Sequence, residues 1–286
     1  MKYINVDKWI VYEGAAYGSG TSEQKWIINP ENMQIALFKE KKDEYTTDNI
    51  SEKIASDIAK KLNLRCARID LATRDGKQGI ISYRINSDEE RIEEGINYIS
   101  KIYPEYDRNK LIDLKTKEKY SLQMILRSIK GLNLERDLFK IFIFDFLIGN
   151  SDRHHSNWAT ITRNNRLEVC PVYDNASSLC AYTKDEQIKR SKNDDNWINA
   201  IVDSKSKSIV RINGERVKHS DFVRYLCSNY YEETVEFVKN IKENFTIDII
   251  NRIMDRYVTL LSDVKINFLK EYLKRKRVLI LSIYKL

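Results

Sequence analysis

The chain has three histidines, and two of them fall in one polar run, Ser151-Asp152-Arg153-His154-His155-Ser156-Asn157. A second polar group, Pro171-Val172-Tyr173-Asp174-Asn175, follows after a stretch that reads as a hairpin. Together they place two carboxylates and one amide at the ends of elements that must lie close together. Phosphoryl transfer needs such a set. It asks for a carboxylate to accept or orient the attacking hydroxyl, and for oxygen ligands that hold magnesium on the phosphates. A metal site built on the histidine pair is the rival reading. Adjacent histidines point apart, however, and no third ligand lies at a helical i+4 spacing.

Four residues separate Asp152 from Asn157. Protein kinases use the same interval between the catalytic Asp and a magnesium-binding Asn, with a second Asp on a later strand end. Asp174 takes that later place. Upstream, Gly14, Gly18 and Gly20 fall within seven residues. Such a loop lets backbone N–H groups approach phosphate oxygens, although a glycine-rich turn standing alone reads equally as a plain hairpin. Lys39 ends a strand-like run from which its ammonium could reach phosphates. Glu52 lies in the first turns of the next helix and could pair with Lys39. Singly, both read as ordinary surface residues. Their joint order is glycine loop, lysine strand, glutamate helix, catalytic loop, then metal Asp.

The elements that must carry these residues are legible from periodicity. Strand-like runs cover Lys8–Tyr12, Lys25–Ile28, Ile35–Lys39, Cys66–Leu71 and Gly79–Ile85, with a turn at Arg74-Asp75-Gly76-Lys77. Ile50, Ile54, Ile58 and Leu62 recur at helical spacing behind a cap at Thr47 or Asp48. From Glu89 onward the pattern is helical, apart from two short strands about Asn164-Asn165. Glu135–Ile148 is apolar almost all round, as a helix buried on most sides would be, and Asp145 within it needs a partner and could brace the catalytic loop. Residues 184–208 read as a mobile surface loop, and Lys270–Arg277 as a solvated helix face. The expected fold is α+β and bilobal: a small β-rich N-lobe with one main helix (1–86) and a larger helical C-lobe (87–286). A cleft between two such lobes is a usual place for a ligand.

Composition sets the bounds. The chain's 286 residues are 42% apolar and 32% charged, which argues against disorder and fibrous classes. A net charge of +7 permits an anionic partner without demanding one. The four cysteines show no paired spacing and read as reduced packing thiols of a cytoplasmic protein. The most apolar stretch, Leu138–Ile148, spans 11 residues and carries two charges, too short for a bilayer that needs about 20.

The strings LIGNSDRHHSN and PVYDNAS, with YGSGTSE, IALFK and SEKIASDIAKKLNL before them, resemble the HipA-like serine/threonine kinases, whose catalytic loop reads D-x-H-x-x-N. They are also similar to the D-R-H-x-x-N signature of phosphatidylinositol kinases. The resemblance runs from about Lys8 to Ser178. It implies a protein-kinase-like fold, ATP and Mg2+ as cofactors, and phosphorylation of a protein at Ser or Thr. It makes Asp152 the catalytic base in a loop with His154 and Asn157, and Asn157 and Asp174 the magnesium ligands. It puts Gly18, Ser19, Gly20, Lys39 and Glu52 at the phosphates. Tyr83 and Ile85 would form the hinge beside adenine. Ser19, Thr21 or Ser22 would be autophosphorylated, and an antitoxin-like protein could be a partner. The longer toxins' amino-terminal subdomain has no counterpart here, Gln24 intervenes before Lys25, and Asp174-Asn175-Ala176 stands where other kinases have D-F-G. Alternatives are a lipid or small-molecule kinase, or a catalytically silent module that holds a partner protein. Neither nucleic acid nor membrane is an expected direct partner.

Overall fold

The computed structural model describes residues 1–13, 25–191, 194–204 and 207–286. The glycine-loop residues Gly14, Gly18, Ser19, Gly20, Thr21 and Ser22 lie outside these. The N-lobe is built on strands β1 (Ile4–Asn5), β2 (Ile10–Val11), β3 (Lys25–Ile28) and β4 (Ile35–Glu40), helix α1 (Asp48–Lys61), and strands β5 (Ile69–Arg74) and β6 (Lys77–Tyr83). The strands form a six-stranded sheet in the order β1-β5-β6-β4-β3-β2. Alternation divides its residues between two faces. Ile27, Ala36, Phe38 and Ile81 pack with Val6 and Trp9 in an outer cluster, while Leu37, Lys39, Ile80 and Ser82 line the inner side. Two left-handed residues, Asp75 (φ 51°) and Gly76 (φ 76°), close the β5–β6 hairpin as the type I′ pattern requires.

α1 forms because its apolar residues recur every four positions and bury one stripe: Ile54, Ala55, Ile58 and Ala59 are each fully buried. Thr47 stands at the N-cap position but makes no side-chain cap. Its hydroxyl donates instead to the Ala181 carbonyl, 3.4 Å away in the C-lobe.

The C-lobe continues with β7 (Arg91–Glu94), α2 (Gly95–Ile102), β8 (Tyr106–Asp107), β9 (Ile112–Asp113), α3 (Leu122–Ser128), α4 (Glu135–Ile148), β10 (Ala159–Arg163) and β11 (Arg166–Val169). Then come α5 (Asp185–Arg190), α6 (Asp195–Asn199), a π-helical turn (Ala200–Ser204), α7 (His219–Asn229), α8 (Tyr231–Asn244), α9 (Ile247–Asp255) and α10 (Asp263–Tyr284). The hairpin expected at Asn164-Asn165 is present, with both residues left-handed (φ 49° and 58°). α4 is the hub of the main core, with Leu138, Phe139, Ile143, Phe144, Phe146, Leu147 and Ile148 fully enclosed. No helix among the described residues is long and apolar enough to cross a membrane.

Three expectations are corrected. The run after Glu89 is not helical at once, because Arg91–Glu94 pairs antiparallel with β10 as a third strand. A four-residue strand is too short to show its period. The polar 184–208 stretch is largely helical among the described residues. Its anchors are few and widely spaced: Ile188 and Val202 are buried, Trp197 packs 5.5 Å from Phe268, and Arg275 bonds Asp195 and Asn199 at 2.7 Å each. The basic Lys270–Arg277 run is not wholly solvated, since Lys276 is fully buried with its ammonium 4.0 Å from the centre of the Phe146 ring.

Candidate active site

The two lobes enclose a cleft of about 1000 Å³. Trp26, Leu37, Ile80 and Ser82 form its roof from the sheet, and Ile85, Ile92 and Tyr173 border the same end. The floor holds Asp152, His154, Ser156, Asn157 and Asp174. An apolar slot beside a charged end is the usual form of a small-molecule site.

The Asp152–Asn157 loop is held from beneath. α4 stops at Gly149, whose left-handed φ of 72° caps the helix. A Cβ there would lie 1.9 Å from the Tyr272 hydroxyl, so only glycine fits against α10. The chain then turns into Asp152. Inside α4, Asp145 forms a bidentate pair with Arg153 at 2.9 and 2.6 Å, and both side chains are 2% exposed. Arg153 also donates to the carbonyls of Asn157 (2.6 Å) and Tyr173 (2.7 Å) and to Asn175 Oδ1 (2.7 Å). One guanidinium therefore ties the Asp152–Asn157 loop to the strand end that carries Asp174. Asp145 and Arg153 answer each other's charge: burial opposes ionisation of both, Arg153 pulls the acid back, and Asp145 holds the guanidinium fully charged.

Local hydrogen bonds orient the loop side chains. Asn157 Nδ2 donates to the Asp152 carbonyl at 2.8 Å. A carbonyl accepts only, so this bond fixes the nitrogen inward and leaves the amide oxygen available to the cleft. Ser156 N donates to His154 Nδ1 at 3.2 Å, fixing the imidazole at the cleft wall. Asp152 is half-buried, and its pKa is raised by burial and by Asp174, against the attraction of His154 and Lys42.

Across the gap, Lys39 Nζ lies 3.3 Å from Asp174 Oδ1. Asp174 has a left-handed backbone (φ 56°), which turns its carboxylate back toward the N-lobe. Burial disfavours both charges, but Lys39 holds Asp174 below the usual carboxylate range, and Glu52 and Asp174 hold Lys39 above the usual amine range. The expected Lys39–Glu52 pair is not closed, because the ammonium sits on Asp174. Glu52 is 1% exposed, and no side chain among the described residues closes a hydrogen bond on its oxygens. Burial raises its pKa, and attraction to Lys39 and to the Asn175 and Asp174 N–H groups offsets only part of that.

Asp152, His154, Asn157, Lys39, Glu52, Asp174, Tyr83 and Ile85 therefore border one cleft. The Tyr83 ring lies on the outer face of the sheet, 6.4 Å from Trp9 and capped by Arg68 at 4.0 Å. A hinge role for Tyr83 would rest on its backbone. Gly18, Ser19 and Gly20 lie outside the described residues. Sequence reasoning missed Arg153 as the hub, although it stands inside the motif. His155, weighed only as half of a metal pair, is buried between Tyr106 and Tyr120. Burial, helped by His154 and Arg108, lowers the His155 pKa to about 4. It is a neutral strut. Lys42 was missed because nothing in its local sequence distinguishes it from Lys41.

Among the described residues no three His, Cys, Asp or Glu side chains converge as a metal cage. Asp174 and the Asn157 amide oxygen offer hard oxygen ligands at the charged end of the cleft. Mg2+ typically takes few protein ligands and fills its octahedron with phosphates and water, so this pair fits it.

Comparison with known proteins places the fold. The serine/threonine-protein kinase CtkA of Helicobacter pylori is 22% identical over 249 residues, covering 84% of this chain and 73% of the relative. The crystal structure of that organism's proinflammatory kinase CtkA matches with a TM-score of 0.82 at 17% identity, covering 99% of this chain and 96% of the other. HipA of Shewanella oneidensis MR-1, solved with HipB and its operator DNA, matches with a TM-score of 0.52 at 14% identity, over 96% of this chain and 68% of that one. The fold is thus the bilobal α+β fold of the kinase CtkA. The HipA-like C-terminal domain profile spans residues 5–255, and the chain belongs to that family.

Proposed function

We propose that the protein transfers the γ-phosphoryl group of ATP, with Mg2+, to a Ser or Thr hydroxyl of another protein. The observation that carries this reading is the Lys39–Asp174 contact at 3.3 Å across the cleft, facing the Asp152–Asn157 loop. Asp152 accepts the proton of the acceptor hydroxyl as its oxygen bonds to the γ-phosphorus. The bond from that phosphorus to the bridging oxygen breaks, and ADP departs. Lys39 steadies the phosphates, and Trp26, Leu37 and Ile80 cover the base. When bound, Mg2+ supplies charge neutralisation on the phosphates, and Asn157 and Asp174 are the residues that would hold it. Most of the acceleration comes from positioning and preorganised charge. The relation to CtkA, a serine/threonine-protein kinase, favours a protein acceptor over a lipid. An antitoxin-like protein partner and autophosphorylation at Ser19, Thr21 or Ser22 belong to the same reading.

Labelled ATP with Mg2+ tests it. Wild-type protein should transfer label to itself or to a generic protein substrate, and Asp152→Asn and Asp174→Asn should each abolish the transfer. Labelling that survives in both variants would reject these roles.

A further inference from the structure

Between Lys39 and α1 the chain makes a turn, residues 41–47, that is fastened to both lobes. Thr47 N donates to the Ala181 carbonyl at 3.0 Å. Lys42 N donates to Asp48 Oδ2 at 3.3 Å, and the Thr46 hydroxyl bonds the other oxygen of that buried carboxylate. Lys41 spends its ammonium on the Glu44 carbonyl at 2.9 Å. The backbone of the turn is therefore fixed relative to segment 177–183, which follows Asp174.

Lys42 extends from this fixed turn into the cleft that Asp152, Asn157 and Asp174 line. Its ammonium donates to the Tyr182 hydroxyl at 3.1 Å, and that hydroxyl lies 3.3 Å from Ser177 Oγ. The contact is with a neutral group, although Asp152 and Asp174 share the cleft. The hydrogen bond to Tyr182, then Asp174 and Asp48, raise the pKa of Lys42, so it remains cationic.

Charge in the cleft is unevenly matched. Beneath the cleft the charge of Arg153 is answered by Asp145, and within it that of Lys39 by Asp174 and Glu52, while Lys42 and Arg108 also line it. A γ-phosphoryl group in transfer spreads negative charge over its outer oxygens and needs a further cation near Asp152. We propose that Lys42 is a catalytic residue of this site: its ammonium leaves the Tyr182 hydroxyl and binds the outer oxygens of the γ-phosphate. This rests on the phosphotransfer reading above. The four-carbon stem lets the ammonium swing while the turn stays in place. Exchanging a neutral acceptor for an anionic one strengthens its hydrogen bond.

The test compares ADP with a non-hydrolysable ATP analogue, each titrated with Mg2+ into the full chain, alongside turnover. Lys42 is exposed, so its replacement does not open the core. Lys42→Met should weaken analogue binding about tenfold, leave ADP binding within about twofold, and lower kcat about a hundredfold. Lys42→Arg should restore most of the analogue affinity. Tyr182→Phe, which removes the competing acceptor, should tighten analogue binding. Lys42→Met with wild-type turnover, or with equal losses for ADP and analogue, would overturn the proposal; equal losses would make Lys42 an interlobe strut. Wild-type protein that binds neither nucleotide would instead overturn the phosphotransfer reading, and this proposal with it.

Discussion

Asp145→Ala should separate the scaffold of the site from its chemistry. The substitution removes the bidentate acceptor of Arg153 and the acceptor of Asn150 Nδ2 (2.9 Å), leaving a guanidinium 2% exposed with no counter-charge beside it. Breaking a buried pair from one side costs about 3–5 kcal/mol, most of it the penalty of the stranded charge. With a urea dependence of about 3 kcal/mol per molar, the unfolding midpoint should fall by about 1–1.7 M. The double variant Asp145→Leu, Arg153→Met removes both charges and should recover part of that loss, the acceptors that Arg153 served staying unpaired. It should not recover activity, because the Asn157 and Tyr173 carbonyls and Asn175 Oδ1 still lack their common donor. Urea unfolding followed by fluorescence, together with a phosphotransfer assay on each variant, reads both quantities. A single variant within about 1 kcal/mol of wild type, or an active double variant, would refute the idea that this pair aligns the catalytic loop with Asp174.

Two further outcomes follow from the titrating groups. Lys276 is fully buried, its ammonium has no hydrogen-bond partner among the described residues, and burial lowers its pKa from 10.5 to about 7. The unfolded chain therefore binds this proton more tightly, and wild-type stability should rise with pH between about 7 and 10.5. Lys276→Met should lose that rise and gain at most about 5 kcal/mol at neutral pH, read by urea unfolding across the pH range; a wild-type curve flat over that window would contradict it. If Asp152 is the base proposed above, it must be ionised, and its pKa is raised by burial and Asp174 while His154 and Lys42 lower it. The acid limb of kcat/KM should thus lie above the ordinary aspartate range. Asp152 should titrate higher still in Lys42→Met, and a pH–rate profile that does not move on that substitution would count against Lys42 facing Asp152.

How far the site could be read in advance depended on range. The Asp152–Asn157 interval, the α4 burial pattern, the Asn164-Asn165 and Asp75-Gly76 turns and the strands Lys25–Ile28 and Ile35–Glu40 all express constraints acting within a few residues. Helical period, backbone handedness and loop length are carried by neighbours along the chain, so residue order alone reveals them. Asp145 stood out for the same reason, as an acid inside an apolar helix that had to find a partner. The partner's identity, and its further bonds to Asn157, Tyr173 and Asn175, depended on how the loop folded back over α4. Lys39 meets Asp174 from 135 positions away, Thr47 serves the C-lobe instead of its own helix, and Lys276 leaves solvent although its neighbours in sequence are basic. The short helices of 185–204 have the same origin, since a few separated contacts on α10 hold them. Such choices are made by which surfaces pack together. An ammonium or hydroxyl has several acceptors it could satisfy, and local composition assigns none of them until the lobes are in place.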